Sequence, residues 1–151
     1  METGDMLPEG RLTLADGTVV ALRDYVGRPL VVYFYPKADT TGCTREAQDF
    51  SALAEGFAAR DATVIGVSRD TPAKLTRFVA KHALTVTLAS DEDGSVCEAF
   101  GVWIEKQMYG RSYMGIERAT FLFDAAGKLA QQWRKVKVAG HAQAVLDAVP
   151  A

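Results

Sequence analysis

Tyr33–Phe50, YFYPKADTTGCTREAQDF, holds an apolar run that stops at a proline, with a cysteine one short turn later. With Leu30, Val31 and Val32 before it, the run is rich in β-branched and aromatic residues, the composition of a strand buried on both faces. Pro36 ends the strand because proline donates no ladder hydrogen bond. Beyond Asp39, Thr40, Thr41 and Gly42, the residues Cys43, Ala47, Phe50, Ala54 and Phe57 recur at helical spacing, and Leu53 and Ala58 widen the stripe. The spacing predicts a helix reaching about Arg60, with Cys43 facing inward from its first turn.

A helix N-terminus presents unpaired N–H donors and the positive end of the macrodipole, so a sulfur there is favoured as its anion. Cys43 is therefore a candidate nucleophile; the alternative is a small buried hydrophobe. Thr40 or Thr41 is expected to supply the N-cap hydroxyl. Glu46, one turn on, is placed to orient a cation near the sulfur.

With 151 residues the chain suits one domain, residues 1–151, with a core of ordinary size. A formal charge of -2, from 17 Lys and Arg against 19 Asp and Glu, lacks the basic footprint of a nucleic-acid binder. METGDMLPEG has neither the positive flank nor the apolar core of a signal peptide, and no run is long enough to span a bilayer. A cytoplasmic location is the expectation. Two cysteines, Cys43 and Cys97, are too few for a disulfide framework, and with His82 and His141 they form no close pairs of zinc ligands.

In chain order, Arg11 to Leu22 alternates about Asp16-Gly17 and is expected to be a β-hairpin, followed by a short helical turn over Arg23 to Gly27. After the central strand and cysteine helix, Ala62 to Ser68 reads as a buried strand. Thr71-Pro72 then opens a helix carrying Leu75, Phe78 and Val79. Leu84 to Leu88 reads as a strand and Ser95 to Phe100 as a short helix. Gly101 to Ile116 is loop-like, its Trp103, Met108, Tyr109, Tyr113 and Met114 either lining a pocket or filling core. Ala119 to Phe123 and Lys128 to Val136 are expected to pair as a hairpin, and His141 to Val149 to form the last helix. His82 and His141 read as surface residues. The order implies an α/β fold, a mixed sheet with helices on both faces.

YFYPKADTTGCTREAQDF, with VIGVSRDTPAKLTRF, LASDEDGSVCEAFGVW and GIERATFLFDAAGK in the same order, resembles the peroxiredoxins, and within them the bacterioferritin-comigratory or Q-type branch of thioredoxin-like fold. The resemblance covers nearly the whole chain. It implies a peroxidase in which Cys43 is the peroxidatic cysteine, Thr40 contacts the peroxide, Pro36 shields the sulfur, Arg118 is the active-site arginine and Glu46 holds that arginine. Arg118 read without the resemblance is a solvated charge at a strand edge. The implied substrates are hydrogen peroxide and alkyl hydroperoxides. The reductant would be thioredoxin, glutaredoxin or a small thiol, with no metal, flavin or haem cofactor and a monomeric chain.

Many members of that branch carry a resolving cysteine five residues after the first, where this chain has Gln48; others place it on the following helix, and Thr71 to His82 has none. Cys97 is left either as a resolving partner or as a core cysteine. The sequence expectation is a one-cysteine cycle completed by an external thiol, with a Cys43–Cys97 disulfide as the minor alternative. Two rivals are a non-catalytic peroxide sensor and a dithiol oxidoreductase; Cys43 lacks the Cys-x-x-Cys partner that the second requires.

Overall fold

In the computed structural model, which describes residues 1–151, the apolar run becomes strand β3, Leu30–Phe34, all five residues buried. It lies between two other buried strands. β4 (Thr63–Ser68) pairs with it in parallel, Val32 opposite Ile65, and β8 (Ala119–Phe123) pairs antiparallel, Val32 opposite Phe121. β5 (Thr87–Ser90) continues in parallel beyond β4, and the N-terminal hairpin of β1 (Arg11–Leu14) and β2 (Val19–Ala21) closes that edge. β9 (Leu129–Trp133) pairs with β8 at the other edge, giving a seven-stranded mixed sheet in the order β2-β1-β5-β4-β3-β8-β9.

Alternation along β3 divides the core. Val31 and Tyr33 face a layer formed by α1 (Thr41–Ala52), α2 (Ala54–Ala59), α3 (Pro72–His82) and α5 (His141–Ala148). Leu30, Val32 and Phe34 face the opposite layer, where α4 (Ser95–Ala99) packs with the 3₁₀ turn Leu22–Tyr25 and Phe121. Cys43 belongs to the first layer and Cys97 to the second. β3 also crowds β4. A side chain at Gly66 would put its Cβ 2.5 Å from Tyr33 Cζ and 2.8 Å from Leu88 Cδ2, so glycine is what lets the Tyr33 ring lie across the strand.

Four expectations are corrected. The cysteine helix is two helices, broken at Leu53. The strand expected over Leu84 to Leu88 begins only at Thr87, because Ala83 ends α3 in the left-handed region (φ 50°) and Leu84 and Val86 fill space under the helix layer. Gly101 to Ile116 is not a loop: β6 (Trp103–Met108) and β7 (Arg111–Ile116) form a separate antiparallel hairpin with its turn at Tyr109-Gly110, both at positive φ. His141 is not at the surface. It is 6% exposed, packed edge-on to Phe50 and Trp133, with Nε2 2.7 Å from Thr120 Oγ1.

Candidate active site

Cys43 is the third residue of α1 and is only 1% exposed. Its helix is held to the sheet by Phe50, two turns on, whose ring stacks on Tyr33 at 4.5 Å, and by Ala47 in the same core layer. Glu46, three residues after the cysteine, lies on the same face and is equally buried. Arg118 immediately precedes β8, the antiparallel neighbour of β3, and its carbonyl accepts from Val136 N at 3.0 Å.

The three side chains meet. Arg118 Nη1 donates to Glu46 Oε1 at 2.6 Å, and Arg118 Nη2 donates to Cys43 Sγ at 3.3 Å. One planar guanidinium thus bridges a carboxylate and the sulfur, a geometry that its fixed fork of donors allows. Burial works against the charge on Arg118, but Glu46 and Cys43 outweigh it and raise the group's pKa. Burial pushes the Glu46 carboxyl up, against the pull of Arg118, and its second oxygen has no hydrogen-bond partner. A Cβ on Gly42 would stand 3.2 Å from Arg118 Nη2, so this glycine leaves room for the guanidinium beside the helix N-terminus, a role not read from the sequence.

Pro36 and Thr40 lie in the loop entering α1 and line a cleft open to solvent. Thr40 occupies the N-cap backbone position, but its hydroxyl donates to Lys37 O at 2.8 Å, so the expected side-chain cap is not made. The loop is tied down from two sides. Asp70 Oδ2 accepts from Ala38 N at 2.8 Å, and Asp39, in the left-handed region at φ 63°, takes Lys81 Nζ and His82 Nε2, each at 2.8 Å. Sequence reading missed these anchors, since nothing local to Asp39 marks the end of α3 as its neighbour.

Cys97 is not near this cluster in the packing. It lies fully buried in the other core layer, its N–H donating to Asp91 Oδ2 at 2.7 Å, and burial, reinforced by Asp91, raises its thiol pKa well above the ordinary value. No group of three or more His, Cys, Asp or Glu side chains is arranged to hold a metal ion, and no helix is long and apolar enough to cross a membrane.

Residues 3–132 match the AhpC/TSA family. Peroxiredoxin Bcp of Xanthomonas campestris is 50% identical over 140 residues, 93% of this chain and 88% of that protein, and Peroxiredoxin Bcp of Bacillus subtilis is 46% identical over 147 residues, 97% and 94% of the two chains. Among solved structures, that of the Xanthomonas campestris bacterioferritin comigratory protein, studied for its alkyl peroxide reduction activity, superposes with a TM-score of 0.89 at 46% identity, covering 96% of this chain and 97% of that one. Mycobacterium tuberculosis BcpB superposes with a TM-score of 0.86 at 32% identity, covering 99% and 96%. With its buried cysteine bridged to a glutamate by one arginine, on a thioredoxin-like sheet, this chain belongs to the AhpC/TSA family and, within it, to the Bcp or Q-type peroxiredoxins, peroxidases that take a peroxide and a thiol reductant.

Proposed function

We propose that Cys43 is the peroxidatic residue of a one-cysteine cycle acting on hydrogen peroxide and alkyl hydroperoxides. The observation that carries this reading is the Arg118 bridge from Glu46 Oε1 to Cys43 Sγ. The sulfur anion attacks one peroxide oxygen in line. An S–O bond forms as the O–O bond breaks, two electrons pass from sulfur to the departing oxygen, and that oxygen leaves as water or an alcohol after taking a proton. Negative charge grows on the departing oxygen, where donors already in place are worth most. Arg118 is the side-chain donor at the sulfur, the backbone N–H groups of Gly42 and Cys43 belong to the same helix N-terminus, and Thr40 joins them once its hydroxyl turns from Lys37 O. Glu46 holds the guanidinium, and Pro36 covers the approach to the sulfur.

The product is a sulfenic acid at Cys43. An external thiol condenses with it and releases water; a second thiol then restores Cys43 and leaves as a disulfide. The reductant is thioredoxin, glutaredoxin or a small thiol. Because Cys43 is 1% exposed, resolution needs the first turn of α1 to open. The separation of Cys43 and Cys97 into core layers on opposite faces of the sheet favours the one-cysteine version over a disulfide between them. Residues 1–151 act as one domain, as a monomer in the cytoplasm.

Steady-state peroxide consumption with thioredoxin, glutaredoxin and glutathione as donors tests the reading in wild type, Cys43→Ser and Cys97→Ser. Cys43→Ser is expected to lose about a thousandfold or more of kcat/KM, the scale seen when a nucleophile is removed, while Cys97→Ser keeps turning over. A Cys43→Ser variant with normal turnover overturns the proposal, and loss of turnover in folded Cys97→Ser overturns the one-cysteine cycle.

A further inference from the structure

The cleft that begins at Pro36 and Thr40 extends to the β6–β7 hairpin and has a volume of about 660 Å³. Its far wall is apolar and adaptable, with Met108, Tyr113 and Met114 each about half exposed. Its charge is unbalanced: Lys37, Arg69 and Lys106 line it against the single carboxylate of Glu92. Arg69 is committed elsewhere, donating to Glu92 O at 3.1 Å and lying 4.4 Å from the centre of the Trp103 ring. Lys37 is exposed and free to move with solvent.

Lys106 is different. It is half-buried, and none of the ion pairs of the molecule includes it. Its stem crosses Gly115 on β7, where a Cβ would stand 3.2 Å from Lys106 Cδ, so the glycine gives the stem its path over the strand. Burial and the like charge of Arg118 both lower the pKa of its ammonium, while the Cys43 sulfur and the Glu117 carboxylate pull it up. The carboxylate acting on it, Glu117, is already paired with Arg134, so this half-buried cation makes no ion pair of its own and gains more than an exposed one from an arriving anion.

We propose that Lys106 is the anchor for an anionic group on the substrate, so that the enzyme favours organic hydroperoxides bearing a carboxylate over neutral hydroperoxides of the same shape. This rests on the reading of Cys43 as the attacking atom. The O–O group lies at Cys43 and Arg118, the organic body lies against Met108, Tyr113 and Met114, and the carboxylate meets Lys106. A neutral hydroperoxide makes the first two contacts and leaves the ammonium unpaired.

Matched substrates test it: kcat/KM for cumene hydroperoxide and for its para-carboxylate analogue, in wild type, Lys106→Gln and Lys106→Arg. The ratio of the two constants cancels whatever Lys106 does to the sulfur itself, and cancels any loss of folded enzyme. Wild type is expected to prefer the carboxylate about fivefold, the scale of one charge pair in contact with water, and the preference shrinks as salt is raised. Lys106→Gln brings the ratio to about one and Lys106→Arg retains it. Absence of the preference in wild type, or an unchanged ratio in Lys106→Gln, overturns the proposal. Cys43→Ser measured alongside separates the two claims, since turnover of cumene hydroperoxide by that variant removes the underlying reading whatever the ratio.

Discussion

Arg118 uses two nitrogens for two tasks, Nη1 on Glu46 and Nη2 on the sulfur, and only a rigid fork can do both without moving. A lysine in its place is a single charge on a flexible stem. Arg118→Lys is therefore expected to retain the fold and lose about a hundredfold in kcat/KM for peroxide, the scale of one misplaced donor at a developing oxyanion; rapid-mixing kinetics checks this, and activity within about threefold of wild type, a loss of under 1 kcal/mol, would mean that charge without the fork is enough. At this scale the sequence was uneven as a guide. Glu46 was legible because three residues on a helix brings two side chains together. Arg118 was not legible from pattern, being distant in the chain, and came only from the resemblance. Lys106 and Gly42 were missed, since what distinguishes them is a neighbour across space.

The helix that carries Cys43 is positioned by what lies under it. Phe50 sits between Tyr33 of β3 and His141 at the start of α5, so the cysteine, the sheet and the last helix share one junction. Burial, with a smaller contribution from Arg118, pushes His141 down to about 4, so it is neutral in the folded protein at pH 7. The unfolded chain takes up a proton as the pH falls below about 6.5, the ordinary value, and the folded one does not until about 4. This contribution to stability is fully present above 6.5, falls across the window from 6.5 to 4 and levels off below it. Melting temperature against pH is expected to fall less steeply there for His141→Gln than for wild type; parallel curves would mean that His141 does not titrate differently on folding. The buried βα units were readable because their apolar runs are continuous and their ends carry turn and cap residues, as at Thr71-Pro72, where Thr71 Oγ1 accepts from Lys74 N. The β6–β7 hairpin was not readable. Most of its side chains are exposed, so no apolar periodicity marks it, and its turn is Tyr109-Gly110 rather than a common hairpin pair.

Across the whole molecule the sheet separates two cores, and the two cysteines are on different sides of it. The sequence allowed Cys97 either role because spacing carries no information about which face a short helix covers. A bridge would need the Cα atoms within about 7 Å, which for residues in opposite layers means breaking the sheet or the packing of α4. Both sulfurs are buried, and only Cys43 stands at the start of a helix whose entering loop lines a cleft with an excess of cations. The most direct test is the intact mass of fully reduced protein after one equivalent of peroxide, without added thiol. The expected result is the gain of one oxygen atom per molecule in wild type and in Cys97→Ser, absent from Cys43→Ser. Loss of two hydrogens from wild-type monomer, abolished in Cys97→Ser, would contradict the one-cysteine cycle, and oxidation unchanged in Cys43→Ser would contradict the assignment of the reacting sulfur.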